Sequence, residues 1–264
     1  MAYPLKNLQD YDQFVQAFER LSGLDLKLYK ENQMKRRINN FINNHGYGNY
    51  TDFFQALTGD RQLYNAFFKH LTINVTQFYR DDRLWEVFRT KIIPELCRHK
   101  SSLKFWSAGC SAGQEVYTIA SIMNDYFPDV KYSILGTDID VNVLEQAKKG
   151  LYEERDFSST PKSIQDRFFI RVGNKFQVKE ILKKNVTFQK HNLLTDPFEK
   201  GFDLIACRNV VIYFTEEAKN VLYQKFSAAL NPGGYLFTGS TEHIFGKNDL
   251  KLKSVTSFFY QKQL

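Results

Sequence analysis

Residues 104–115 run Lys104-Phe105-Trp106-Ser107-Ala108-Gly109-Cys110-Ser111-Ala112-Gly113-Gln114-Glu115, and their pattern decides the fold. An apolar stretch of strand length, from Leu103 to Ser107, enters a turn bearing two glycines. Helical spacing then opens at Gly113 and continues to about Tyr126. A strand that turns into a helix in this way lets the backbone approach a ligand closely at the carboxyl edge of a sheet. The next apolar run, Tyr132 to Thr137, ends in Gly136-Thr137-Asp138-Ile139-Asp140. An acidic residue at the tip of the second strand is where doubly wound nucleoside-binding domains hold ribose hydroxyls. Gly109 and Gly113 lack the GxGxxG spacing that cradles a pyrophosphate, and a glycine turn before a helix often serves packing alone. S-adenosylmethionine carries no phosphate and needs only the close approach, so the pattern favours that cofactor over NAD.

Outward from this segment, short apolar runs alternate with helical stretches, as in βαβ units around a parallel sheet. Further strands are expected at Val186 to Gln189, Phe202 to Cys207 and Tyr235 to Thr238. Helices are expected at Val141 to Lys149 and Thr215 to Leu230, the latter closed by a turn at Asn231-Pro232-Gly233-Gly234. Leu250 to Val255 and Phe258 to Lys262 fit a terminal antiparallel hairpin. Within 151–184, Phe168 to Val172 and Lys175 to Val178 flank Gly173-Asn174, which predicts a second hairpin and a small β insertion.

Residues 1–71 carry helical periodicity instead. Tyr11, Phe14, Val15, Phe18 and Leu21 recur at three and four, with Gly23 as a stop. A second helix, about Leu28 to Asn44, gathers Met34, Ile38, Phe41 and Ile42 on one side. A third begins near Thr51, read as its N-cap, and buries Phe53, Phe54 and Leu57. A fourth, about Arg61 to Leu71, continues with Leu63, Tyr64, Phe67 and Phe68.

Composition limits the options. The 264 residues are 43% hydrophobic and 25% charged, which is ordinary for a folded protein and excludes bulk disorder. With 24 Phe and 15 Tyr, much of the core is expected to be rings. Cys97, Cys110 and Cys207 are an odd number without a CxxC pair, so neither a disulfide framework nor a zinc site is expected, and no metal is. There is no apolar run of signal-peptide length near the N-terminus and no stretch of the roughly 20 apolar residues that span a bilayer. A cytoplasmic location is expected. The net charge of +7 suits an acidic partner, whether nucleic acid, membrane surface or protein.

Three more segments place polar residues directly beside apolar runs. They are Thr72 to Asp81, His191-Asn192-Leu193-Leu194 after the third strand, and Cys207 to Phe214 after the fourth. Polar groups there would sit at the carboxyl edge, where open α/β sheets bind ligands. Each alone also fits an N-cap or a loop hydrogen bond.

In this order, the stretches INVTQFYRD (73–81), FWSAGCSAGQEVYTIA (105–120), LGTDID (135–140), HNLL (191–194), FDLIACRNVVIYF (202–214) and NPGGYLFTGSTE (231–242) resemble the chemotaxis-receptor protein-glutamate O-methyltransferases, the CheR family. The resemblance covers nearly all of the chain after about residue 70. It implies an α/β fold class: a small N-terminal all-α receptor-docking domain (1–71), a linker and connecting helix (72–102), and a Rossmann-like S-adenosylmethionine-dependent methyltransferase domain (103–264) with the antiparallel β insertion.

Carried over residue by residue, the resemblance implies that Asn74, Thr76 and Arg80 reach the methionine end of S-adenosylmethionine. Glu115 would take the amino group and Asp138 the ribose hydroxyls. Asn192 and Leu193 would line the adenine, and Cys207, Arg208 and Asn209 would close the pocket, partly through main chain. Arg80 and Tyr213 would flank the transferred methyl. The chain departs from the commoner family wording at Gln114, where Glu is usual, and at Tyr79, where Phe is usual.

The implied chemistry is transfer of the methyl group to glutamate carboxylates of chemotaxis receptors, giving methyl esters and S-adenosyl-L-homocysteine, for sensory adaptation. A substrate glutamate with a pKa near 4.3 is already ionised at pH 7, so no general base is required. Catalysis reduces to holding the carboxylate in line with the methyl, and such positioning supplies about 7 to 11 kcal/mol. Arg80 suits one carboxylate oxygen, and the neutral Tyr213 hydroxyl a second contact. His191 shows no ligand spacing and reads as structural.

Residues 23–45 hold Lys27, Lys30, Lys35, Arg36 and Arg37 against Asp25 and Glu31. A solvated helix face explains such a cluster. The family resemblance instead implies docking of Lys30, Lys35, Arg36 and Arg37 on the glutamate-rich cytoplasmic methylation helices of receptors. The short turn between Val172 and Phe176 resembles family members that do not bind a receptor pentapeptide. A monomer with no direct membrane insertion is expected. A nucleic-acid methyltransferase is disfavoured because the first 70 residues carry nine basic against seven acidic side chains, too few for phosphate binding. A non-catalytic adaptor that senses the cofactor is disfavoured by the presence of both Arg80 and Tyr213.

Overall fold

The computed structural model describes residues 8–98, 100–244 and 249–263. The chain forms two compact units.

The first unit comprises the described residues up to Ile73 together with Tyr213–Lys219. Its helices are α1 (Tyr11–Ser22), α2 (Glu31–Asn44), α3 (Tyr50–Gly59) and α4 (Arg61–Thr72). The Asp10 side chain accepts the Gln13 N–H to start α1, and Gly23, in the left-handed region at φ 74°, ends it. The sequence placed the start of α2 at Leu28; a 3-10 turn at Leu26–Leu28, capped by Asp25, occupies that stretch. Thr51 does not cap α3. Asn49 does, accepting the Asp52 N–H at 2.9 Å, while the Thr51 hydroxyl accepts the Leu8 N–H at 2.8 Å. The apolar faces meet in a ring cluster in which Phe14, Phe18, Phe53 and Phe67 are fully buried. Phe53 and Phe67 pack edge to face with centroids 4.9 Å apart. Each such ring contributes about 1.5–3 kcal/mol through burial. Phe214 bridges to Tyr29, and the Lys30 N–H donates to the Tyr213 carbonyl at 2.9 Å.

The second unit comprises the described residues of 74–212 and 220–264. It opens with α5 (Asp82–Val87), a π-type turn at Phe88–Ile92 and α6 (Ile93–Cys97). Strands β1 (Ser102–Ala108) and β2 (Lys131–Asp138) flank α7 (Gln114–Tyr126), and α8 (Val141–Lys149) follows. Next come β3 (Leu151–Glu153), α9 (Lys162–Phe168), β4 (Phe169–Val172), β5 (Lys175–Val178), α10 (Glu180–Lys183), β6 (Val186–Lys190), β7 (Phe202–Cys207), α11 (Glu216–Ala229, which belongs to this unit from Asn220 on), β8 (Leu230–Thr238), β9 (Leu252–Thr256) and β10 (Phe259–Lys262).

Among the described residues the main sheet has the order β6-β2-β1-β7-β8-β10-β9. From β6 to β8 the neighbours run parallel; β10 pairs antiparallel with β8 and β9. A second sheet, β3-β5-β4, forms the insertion. Strands buried on both faces read as continuous apolar runs, and β7 is buried at every position. The carboxyl ends of β1, β2, β6, β7 and β8 all open into loops, which bring together the polar segments of the candidate site.

Two details differ from the sequence reading. Asn231–Gly234 is not a turn ahead of the strand but a bulge inside β8: Phe202 pairs with Leu230 and Leu204 with Tyr235. The Asn231 amide holds the bulge by donating to the Gly201 carbonyl at 3.0 Å and to Asp203 at 2.8 Å. The insertion also gains β3, three residues long and too short to leave a periodic pattern. No described helix is long and apolar enough to cross a membrane.

Candidate functional site

The turn after β1 is built for close approach. Gly109 sits at φ 81°, and a Cβ there would come within 2.5 Å of Val210 Cγ2, so only glycine lets the loop after β7 lie this near. The Gly109 and Cys110 N–H groups both donate to the Thr137 carbonyl at 2.8 Å, which fixes this turn against the end of β2.

Asp138, the last residue of β2, is buried. Its carboxylate accepts the Ser111 N–H at 2.8 Å and the Asp140 N–H at 3.0 Å. Burial outweighs these bonds and pushes its pKa up to about 6. Asp140 is fully buried, caps α8 by accepting the Asn142 N–H, and also accepts the Asn74 amide at 2.9 Å. The Asn74 side chain is therefore engaged at the Asp138 end. Thr76, on the same segment, is half-buried.

On α7, Glu115 accepts the Ser107 hydroxyl at 2.7 Å through Oε1 and the Arg208 guanidinium at 3.3 Å through Oε2. Arg208 also donates to Asp81 at 2.9 Å and to the Arg80 carbonyl at 2.8 Å. Its guanidinium lies 4.6 Å from the Phe237 ring centroid and 5.1 Å from that of Trp85. Arg80 donates to the Val75 carbonyl at 3.1 Å, and its own carbonyl accepts Trp85 Nε1 at 2.9 Å. The unusual Tyr79 is accommodated because its hydroxyl meets Ser121 Oγ at 2.8 Å.

Beyond β6, the Asn192 side chain accepts the Leu194 N–H at 3.0 Å and the Asn192 backbone N–H donates to Asp196 at 2.9 Å, in a loop that holds the buried Leu193. His191 packs edge-on to Trp106 with centroids 5.6 Å apart, and burial holds its pKa below the ordinary value, as suits a structural histidine. Cys207 and Arg208 are buried, and Asn209 adopts φ 59°. Four buried polar atoms at this edge, Ser111 Oγ, Gln114 Oε1, His191 Nε2 and Arg208 Nε, have no hydrogen-bond partner among the described residues.

Tyr213 belongs to the first unit and is described with it. Of the four basic residues there, Lys35 and Arg36 are exposed, and Lys30 and Arg37 half-buried. The Arg37 guanidinium is bonded to the His70 carbonyl, so it supports the α2–α4 packing. Sequence reasoning missed Ser107, Asp81, Asp140, Lys225 and Glu242. Lys225 Nζ donates to the Leu193 and Asp196 carbonyls at 2.9 and 2.8 Å and pins their loop. A lysine on a helix gives no sign of that in sequence, whereas Glu242 lies inside the 231–242 stretch.

Residues 74–259 match the family model described as CheR methyltransferase, SAM binding domain, and residues 9–72 match CheR methyltransferase, all-alpha domain. The chain is 40% identical to a chemotaxis protein methyltransferase of Listeria monocytogenes, over 96% of this chain and 97% of that one. It is 41% identical to the corresponding protein of Listeria innocua over the same shares. A chemotaxis protein methyltransferase of Borreliella burgdorferi is 37% identical, over 87% of this chain and 86% of its own length. S-adenosylmethionine is the cofactor of the matched domain. The chain belongs to the CheR methyltransferase family.

Proposed function

We propose that the protein methylates glutamate side-chain carboxylates of chemotaxis receptors, releasing S-adenosyl-L-homocysteine. The observation that carries this reading is the near-full-length likeness to chemotaxis protein methyltransferases, together with a strand-edge site suited to their cofactor. The residues present fit S-adenosylmethionine. The buried Asp138 carboxylate suits vicinal hydroxyls, Glu115 suits an ammonium, and the unpartnered Ser111 hydroxyl and Gln114 amide oxygen offer further polar contacts. Asn192 and Leu193 would line the adenine, and Cys207, Arg208 and Asn209 would close the pocket. Asn74 and Thr76 belong to the same set, with the Asn74 amide engaged on Asp140.

When bound, the cofactor supplies an electrophilic methyl group on a sulfonium. The chain's task is then to hold and orient. No base is needed, because the substrate carboxylate is ionised at neutral pH. Arg80 has five N–H groups and spends one on Val75, which leaves donors for one oxygen of an incoming carboxylate. The Tyr213 hydroxyl would take a contact without quenching the nucleophile. Residues 1–71 would dock the receptor, 72–102 connect, and 103–264 carry the chemistry. Exposed Lys35 and Arg36 suit acidic receptor helices, and the proposed substrate is the cytoplasmic part of the receptor.

The test is mass spectrometry of a receptor cytoplasmic fragment after incubation with S-adenosylmethionine and the protein. Methyl groups on glutamate side chains are expected; methylation confined to lysine, arginine or nucleic acid would overturn the proposal.

A further inference from the structure

Glu242 is left over from the reaction. It is 3% exposed, and its carboxylate collects main-chain amides. Asn209 and Gly239 donate to Oε2 at 2.7 and 2.8 Å, and Val210 and Val211 donate to Oε1, both at 3.0 Å. Three successive amides after β7 thus converge on one anion, an arrangement that needs a reversal of the chain. Asn209 supplies it with φ 59°, a conformation that residues other than glycine seldom adopt.

The carboxylate is itself held. The Glu242 N–H donates to the Gly239 carbonyl at 2.9 Å, and the Thr238 hydroxyl donates to the Glu242 carbonyl at 2.9 Å. A Cβ on Gly239 would lie 2.7 Å from Glu242 Oε2 and 2.9 Å from the Asn209 nitrogen, so that position has no room for a side chain. On the far side of the loop, Val210 fills the space over Gly109. The loop after β7 is clamped between a carboxylate on one side and the glycine turn on the other.

We propose that Glu242 is a positioning residue for the S-adenosylmethionine site: it fixes the Arg208–Val211 loop and, through Val210 against Gly109, sets the gap between the two loops that receive the cofactor. The proposal rests on the reading that this edge of the sheet is the cofactor pocket. It makes Glu242 a determinant of cofactor affinity rather than of methyl transfer once cofactor is bound.

The experiment compares Glu242→Gln, Glu242→Asp, Gly239→Ala, Asp138→Asn and Leu252→Ala by calorimetric titration with S-adenosylhomocysteine, well below each thermal midpoint. Glu242→Gln keeps the volume but turns an N–H₂ toward the Asn209 and Gly239 amides. Its Kd should rise at least tenfold, and the KM for S-adenosylmethionine with it, while kcat at saturation falls less than threefold. Glu242→Asp, which keeps the charge, should recover part of the affinity. Gly239→Ala, which leaves the carboxylate but crowds Asn209, should weaken binding in the same direction and stands in if Glu242→Gln does not fold. Leu252→Ala, at the one buried position of β9, should lower the midpoint and leave Kd unchanged. Wild-type Kd in folded Glu242→Gln or Gly239→Ala, with Asp138→Asn weakened, overturns the proposal and leaves the pocket in place. Wild-type Kd in Asp138→Asn removes the pocket reading itself.

Discussion

Arg208 joins Glu115 to Asp81: one guanidinium, its side chain 3% exposed, lies 3.3 Å from the first carboxylate and 2.9 Å from the second. Two negative charges face one positive charge, so the cluster retains a net charge of −1. Arg208 divides its donors between Asp81, the Arg80 carbonyl and Glu115, and the excess carboxylate lets Glu115 accept a further cation, which is the role proposed for it toward the cofactor's ammonium.

Replacing Arg208 with Met should therefore be costly. It strands two partly buried carboxylates, and removal of one partner of a buried ion pair typically costs 3–5 kcal/mol. Urea denaturation should show a loss of about 3 kcal/mol. Adding Glu115→Gln should restore part of that stability while abolishing cofactor binding. Unchanged stability in Arg208→Met would show that the network has no structural weight.

Asp138 sets a pH dependence with two opposite signs. Its pKa of about 6 lies above the value near 3.9 expected in the unfolded chain, so the folded protein takes up this proton more readily. Stability without ligand gains from this group as pH falls from about 6 toward 4, and loses it on the way back up. Binding runs the other way, because ribose hydroxyls donate to the ionised carboxylate. The Kd for S-adenosylhomocysteine should be flat above about pH 6.5 and rise up to tenfold per unit below pH 6. Asp138→Asn should remove this dependence and weaken binding at pH 7.5 by about 1.5–3 kcal/mol, the range for a hydrogen bond to a charged group. Titration calorimetry across pH checks both.

Lys35 and Arg36 are the clean probes of receptor docking. Both are exposed, whereas Arg37 is tied to the His70 carbonyl and Lys30 is half-buried at the start of α2. Lys35→Glu with Arg36→Glu should lower kcat/KM for a receptor fragment at least tenfold at low salt and leave the affinity for S-adenosylhomocysteine untouched. The deficit should shrink as salt rises, since surface attraction is screened over about 8–10 Å. Arg37→Glu should lower the thermal midpoint instead. Equal losses of receptor turnover and cofactor affinity would contradict the docking role.

Much of the fold was legible because its signals are local. β1, β2, β6, β7 and β10 are short apolar runs, and α1 ends at a glycine whose left-handed φ the sequence announces. What stayed hidden depends on tertiary partners. Thr51 looked like the cap of α3, but its hydroxyl bonds to Leu8, and Asn49 takes over because its side chain reaches the Asp52 amide. The bulge at Asn231–Gly234 was read as a turn, since Pro-Gly-Gly says only that the chain bends; the pairing of Phe202 with Leu230 puts that bend inside a strand. At the site, Glu115 and Asp138 stood out by their place after a strand or turn. Asp81, Lys225 and Glu242 did not, because each acts by bonding a distant loop, and such contacts leave no periodic trace.

The central claim is carboxyl methylation of receptor glutamates. The direct measurement is incubation with methyl-labelled S-adenosylmethionine and a receptor cytoplasmic fragment, followed by mild alkali and capture of volatile label. Release of methanol from the fragment, lost in Arg80→Ala and reduced in Asp138→Asn at subsaturating S-adenosylmethionine, is the expected result. Label that stays on the fragment through alkali would contradict it.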